Sequence, residues 1–144
     1  MVDVNVSDHR NLSLFDNRVE LVKVIYDFDK DAGASADDYM LFTADKDLVI
    51  MDAWINCITE LDSAADGASI DVGIDGGDED ALFDGVAEAD TTAGNLIQPT
   101  VVEGTPNVMP CPLKLAEDGK IRMKILGEDL TAGKLEFNFL VTRF

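Results

Sequence analysis

The sequence predicts an all-β fold: an antiparallel β-sandwich, jelly-roll-like, with a short helical turn and a proline-rich extended segment. Three observations point there. Apolar residues recur with period two over residues 48–61 and 120–142, the spacing of half-buried strands. Gly- and Asp-containing turns separate the strand-like stretches, as tight connections require. All four prolines fall between Pro99 and Pro112, which bars a central strand there and leaves an extended edge or irregular crossing. With 144 residues, the chain reads as an N-terminal arm or edge strand over 1–18 and one sandwich domain over 19–144, of around seven or eight strands.

Taken in order, Val2, Val4 and Val6 alternate with polar residues, the pattern of an edge strand or of an arm that pairs with a neighbouring subunit. Residues 19–28 (VELVKVIYDF) are rich in Val, Ile, Tyr and Phe and read as a strand. Residues 29–38 form a polar loop around Gly33. From Leu48 to Leu61, Val49, Met51, Ala53, Ile55, Cys57 and Leu61 share one predicted dry face, and Trp54 lies with Ile50 and Ile58 in a stripe on the other. A turn at Asp62–Gly67 leads to ASIDVGI, and Asp78 is placed to cap a short helical turn through Phe83. At the end, Ile121, Met123 and Ile125 alternate with Lys120, Arg122 and Lys124, and Leu135, Phe137, Phe139 and Val141 follow beyond the loop Gly127–Gly133. This reads as a hairpin with one buried face.

Composition narrows the function. The chain is 47% hydrophobic and 28% charged, with a net charge of −18. Such a surface repels phosphate backbones and anionic membranes, so neither nucleic acid nor membrane is an expected partner. It suits high local concentration or a salty medium. Residues 120–144 carry five bases against three acids, whereas residues 1–119 carry six bases against 26 acids. The basic end can meet an acidic neighbour, another copy of the chain included, or lie against its own body. No stretch nears the roughly eighteen apolar residues of a membrane span, and the acidic start MVDVNVSDHR lacks the basic region of a signal peptide. Cys57 and Cys111 are too few for a disulfide framework and are expected as reduced thiols.

Catalysis finds little footing. The single histidine, His9, lies in the weakly patterned N-terminal stretch, whereas nucleophilic triads need a histidine held by a scaffold. Carboxylates abound, but one Trp and two Tyr are a thin platform for the sugar that paired carboxylates would cleave. The loop Gly73–Gly77 follows a strand without GxGxxG spacing, so its glycines are assigned to a tight turn. Asp27, Asp29 and Asp31 resemble the start of a calcium loop, but Gly33 comes one place late and Asp38 closes the loop instead of Glu. Calcium there is therefore an alternative to a solvated loop, and no cofactor is expected otherwise.

Some of these residues carry a family resemblance. The strand LVIMDAWINCITEL, the following SIDVGIDGGDEDALFDGV and the closing LTAGKLEFNFLV resemble small structural proteins of tailed bacteriophages. In those, a Val/Trp-rich strand precedes a loop of the type V/I-G-x-x-G/D-D-x-D-A, and a T-A-G-K-L/V strand closes the chain. Asp71–Leu82 and Leu130–Phe139 match best, within coverage of residues 47–86 and 120–143. The resemblance implies a non-enzymatic head decoration or cement protein: a β-sandwich or jelly roll assembled on the virion, often as a homotrimer. Its partners would be the major capsid protein and itself, on the capsid exterior after synthesis in the host cytoplasm. A receptor- or carbohydrate-binding module of the tail or a fibre is the alternative. The candidate contacts are Val2, Val4, Val6, Trp54, Val101, Val102, Lys120, Arg122 and Lys124.

Overall fold

The structure, a computed structural model, describes residues 3–12, 18–102 and 108–143. Among these residues the strands are β1 (Asp3–Leu12), β2 (Glu20–Asp27), β3 (Asp38–Ala44), β4 (Leu48–Ser63), β5 (Ser69–Ile74), β6 (Phe83–Ala87), β7 (Leu96–Ile97), β8 (Leu113–Leu115), β9 (Lys120–Leu126) and β10 (Leu130–Arg143). They form one sheet of order β1-β3-β9-β5-β6 and a second of order β2-β10-β4-β7, with β8 also on β4. Pairing is antiparallel except between β1 and β3, which run parallel. The fold is thus predominantly antiparallel β.

One apolar cluster draws on both sheets. From the first come Tyr39, Phe42, Ile70, Val72, Ile121 and Met123, and from the second Val24, Tyr26, Ile55, Leu135, Phe137 and Phe139. Phe42 of β3 meets Phe139 of β10 edge-on, ring centroids 4.9 Å apart. Tyr26 of β2 meets Tyr39 of β3 likewise, at 5.8 Å. Such pairs contribute about 0.5–1.5 kcal/mol beyond the area they bury, and here each one ties the two sheets together.

Two expectations are corrected by the strand paths. The terminal pair is not a hairpin: β9 pairs with β3 and β5, whereas β10 pairs with β2 and β4 in the other sheet. Likewise β4 and β5, joined by the turn after Ser63, belong to opposite sheets. A short connection between alternating runs does not distinguish pairing from crossing. The second correction concerns β4. Val141 faces Ile50 and Leu140 faces Asp52, so Met51 is an extra, bulged residue that flips the side-chain phase. Leu48 and Ile50 are therefore buried before it, and Ala53, Ile55 and Cys57 after it, while Met51 is exposed. The predicted stripe of Ile50, Trp54 and Ile58 is broken accordingly.

The helical turn also sits elsewhere. Residues 78–82 form turns leading into β6. The short helix α1 is Phe28–Asp31, N-capped by the Asp27 carboxylate, which accepts from Asp29 N at 3.0 Å. A single 3₁₀ turn at Glu88–Thr91 follows β6. The glycine loop does what its composition predicts: Gly77 N donates to Ile74 O, closing a turn with Gly76 at φ +75°. Gly73 has a second role. A Cβ there would collide with the backbone of Asp78 and Glu79, so its lack of a side chain lets the acidic loop fold back over β5.

Candidate functional site

The folded-back loop rests on one buried cation. β9 is the middle strand of its sheet, and Arg122 on it is only 1% exposed. Its Nη1 donates to Asp38 Oδ1 at 2.7 Å and its Nη2 to Glu79 Oε2, while Nε lies 4.0 Å from Asp75 Oδ1. Lys124 Nζ stands 3.9 Å from the same Asp38 oxygen. Burial pushes the Asp38 carboxyl above its ordinary pKa even though Arg122 and Lys124 pull it down. The guanidinium thus links β3, β9 and the loop after β5. The basic stripe Lys120, Arg122 and Lys124 is corrected at its centre, because Arg122 is consumed inside the molecule and is not a surface contact. Alternation misled here because the second face of β9 is covered by the acidic loop.

Beside this loop runs a different surface. Between Thr91 and Leu113 the sequence has one charged residue, Glu103. The segment starts from β7 on the edge of β4. Pro99 is buried, and Thr100 N donates to Leu82 O while its hydroxyl accepts from Asp84 N. The segment is thereby fastened across the start of β6. Beyond it, Val102 N donates to Val108 O at 2.7 Å. Val101, Val102, Val108 and Met109 are each at least 41% exposed. Among the described residues nothing covers them, and they face solvent. Asp78, Asp80 and Asp84 line a shallow pocket beside Val101 and Val102, so an apolar rim adjoins an acidic floor.

The remaining predicted contacts are dispersed. Val6 is 2% exposed and packs in the core, and Val4 packs against it half-buried. The stretch read as an arm or edge strand is here an edge strand on β3, with Val6 spent internally. Val2 lies outside the described residues. Trp54 is half-buried on the outward face of β4, opposite Asn138. Lys120 and Lys124 are half-buried.

The proposed calcium loop is put to other use. Asp31 is buried and accepts from Ser7 N at 2.6 Å and Asp27 N at 3.0 Å, while Asp27 caps α1. These carboxylates hold backbone, and Asp27, Asp29 and Asp31 do not converge as a ligand set. Among the described residues three other acidic groups do: Asp38, Asp75 and Glu79; Asp62, Asp66 and Glu88; and Asp71, Asp80 and Asp84. The first surrounds Arg122.

His9 is held by Thr43, its Nε2 3.0 Å from Oγ1, and burial, with the nearby charge of Lys120, lowers its pKa. Cys57 and Cys111 are free thiols. Burial and the Asp52 carboxylate push Cys111 up to about 11, the opposite of an activated nucleophile. Among the described residues, neither the histidine nor the two thiols is set up as an activated catalytic group.

Sequence reasoning missed the polar knot at the other end of β4. Ser63, Glu88 and Thr91 are buried there, and Glu128 from the β9–β10 turn accepts from Ala65 N and Gly67 N. Nothing in the local pattern marks Glu88 among 29 acids, since it follows a short strand that carries no clear alternation.

No family model and no curated protein sequence matches the chain. Two solved structures do match in fold. A chain in "Capsid of Ralstonia phage GP4" superposes with a TM-score of 0.62 at 15% identity, covering 92% of this chain and 89% of that one. A chain in "Cyanophage Pam1 capsid asymmetric unit" gives 0.60 at 13% identity, with the same coverages. Over about nine-tenths of its length, therefore, the protein has the fold of chains found in phage capsids.

Proposed function

We propose that this chain is a phage virion structural protein that decorates the capsid, binding across neighbouring capsid subunits and reinforcing the shell. The observation that carries this reading is the fold match to chains of two phage capsids over nine-tenths of the sequence. We also infer a jelly-roll sandwich. The orders β2-β10-β4-β7 and β3-β9-β5-β6 are those of two four-stranded sheets built from paired Greek keys, with β1 added at one edge. Such a rigid body offers its loops for attachment.

The contact we favour is the nearly uncharged segment from Leu96 to Leu113, whose exposed Val101, Val102, Val108 and Met109 would bury apolar area against the shell. Half-buried Lys120 and Lys124 and outward Trp54 are further candidates. The acidic remainder would face solvent on the capsid exterior and keep particles apart. Bound copies stabilise the assembled shell by mass action, because they bind the intact lattice and not its dissociated subunits. A homotrimer would match a local symmetry axis. Synthesis in the host cytoplasm accords with two free thiols. The tail or fibre module with a receptor or carbohydrate ligand has less support: the large exposed hydrophobics among the described residues are aliphatic, without the exposed aromatic platform near Asp75–Asp80 that sugar binding would favour.

The test is to mix the purified protein with undecorated capsids and follow cosedimentation and shell melting. Saturable binding with a raised shell melting temperature is expected, weakened by Val101→Asp with Val102→Asp. No cosedimentation and an unchanged shell would overturn the reading.

A further inference from the structure

Glu88 opens the 3₁₀ turn after β6, and that turn is clamped to β4: the Thr91 hydroxyl accepts from Leu61 N at 2.9 Å and donates to Glu88 O at 2.7 Å. The clamp drives the Glu88 side chain inward, where only 6% of the residue stays exposed. Its Oε2 lies 2.9 Å from the Ser63 hydroxyl, which also lies 3.1 Å from Glu128 Oε2. One hydroxyl proton cannot serve both carboxylates. Glu128 has backbone donors of its own, Ala65 N and Gly67 N. Glu88 Oε1 is buried with no hydrogen-bond partner among the described residues.

The residue that carries this unpartnered oxygen belongs to a converging set. Asp62, Asp66 and Glu88 each bring one carboxylate oxygen within 4.8 Å of the others, a spacing that oxygens about 2.4 Å from one shared ion would have. They line a pocket of about 280 Å³ together with Glu60. Asp62 Oδ1 accepts only from the neighbouring Ser63 N, and among the described residues no Lys or Arg pairs with any of the three. The other two acidic groups differ. Arg122 already fills the Asp38 group, and the Asp71 carboxylate accepts from Gly85 N. A buried carboxylate oxygen without a donor is costly unless something positive meets it.

We propose that Asp62, Asp66 and Glu88 bind one hard divalent cation of the calcium class. The carboxylates are the anionic oxygen donors such an ion selects, and the open side of the pocket leaves room for water to complete its six to eight ligands. The ion would cross-link the β4–β5 turn to the 3₁₀ turn after β6. Two exposed aspartates, one at the end of β4 and one in the turn after it, favour the adaptable calcium shell over the strict octahedron of magnesium. The site does not depend on capsid attachment.

The experiment uses the whole purified chain, stripped with chelator and titrated with calcium chloride by calorimetry and thermal melting, against magnesium chloride and potassium chloride at matched ionic strength. Saturable binding of about one calcium per chain is expected. At free calcium about 100 times Kd, the folded-to-unfolded ratio should rise about 100-fold. Glu88→Gln should weaken affinity about tenfold or more. The pair Asp62→Asn with Asp66→Asn, on exposed side chains that leave the core intact, should do the same even if the first variant folds poorly. No saturable calcium heat up to about 10 mM, above the range of weak calcium modules, would overturn the proposal. So would equal stabilisation by potassium chloride, or unchanged affinity in the Asp62/Asp66 variant.

Discussion

Replacing Arg122 with Met tests whether one buried guanidinium holds the acidic loop on the sheet. The substitution keeps an unbranched chain in the same volume and removes the charge. Asp38, 3% exposed, loses a 2.7 Å partner and retains only Lys124 at 3.9 Å. Removing one member of a buried pair costs about 3–5 kcal/mol, because the other charge is left without compensation. The Glu79 contact adds little, since the Glu79 side chain is 47% exposed and such pairs contribute about 0.2–1 kcal/mol. Lys124 offsets part of the loss, which places the expected cost at about 3 kcal/mol. For a domain of this size that is a fall in melting temperature of roughly 6–12 °C. Amide exchange over residues 75–84 should quicken first, because Glu79 and Asp75 lose their anchor. The second arm is the double variant Arg122→Met with Asp38→Leu, which removes both charges and should recover most of the loss. Scanning calorimetry and denaturant melts read both. If the single variant melts with the native protein, or if the double variant melts as low as the single, the buried pair is not what holds this loop.

Two pH-linked predictions follow from the same surfaces. Burial, with repulsion from Asp84 and Asp80, raises the Asp71 carboxyl above 3.8 despite the Gly85 hydrogen bond. The folded state therefore holds its proton to higher pH than the unfolded chain, so stability falls as pH rises from 3.8 through the folded pKa. Asp71→Asn, which keeps the acceptor for Gly85 N, should raise the melting temperature at neutral pH and lose that advantage below 3.8; equal melting at both would contradict this. His9 has the opposite sign. Its folded pKa lies below 6.5, so its contribution is complete above 6.5 and is lost as pH falls from there through the folded pKa. His9→Gln should flatten the decline in urea midpoint between about pH 7.5 and about pH 5, and an unaltered slope would show that other groups carry it.

Strand existence was legible in the chain because half-buried strands print their faces as period two: Val22, Val24 and Tyr26 are buried on β2, and Leu135, Phe137 and Phe139 on β10. Pairing was not legible. The three-residue connection at 127–129 between β9 and β10 could equally turn a hairpin or step between sheets, and only the non-local partners β2, β3, β4 and β5 decide it. The Met51 bulge was invisible for a related reason: apolar residues occupy both parities from Leu48 to Ile50, so either phase satisfies the pattern. The candidate contacts divided according to what lies over each strand. Val101 and Val102, in a segment that proline keeps out of the sheets, are exposed. Arg122 was read as a surface base, because alternation reports the sides of a strand and not whether a loop returns over one of them.

That returning loop also changes what the acidity means. A charge of −18 by itself suggests solvated faces, but many of these carboxylates accept from backbone N–H groups. Asp8 accepts from Ile25 N, Asp31 from Ser7 N, Asp47 from Glu117 N, Asp129 from Ser35 N and Glu128 from Ala65 N and Gly67 N. Glu117, Ser35, Ala65 and Gly67 lie in connections and Ile25 and Ser7 on β2 and β1, and each N–H gains a charge-assisted acceptor in place of a sheet-ladder partner. The acids therefore gather where connections must be fixed, and the stretch from Thr91 to Leu113, with Glu103 alone, stands apart from them. On an otherwise acidic molecule, self-repulsion keeps free copies from meeting through general surface contact. A nearly uncharged apolar segment is then the place where association costs least electrostatically, which is the reason for proposing the attachment surface at Val101, Val102, Val108 and Met109.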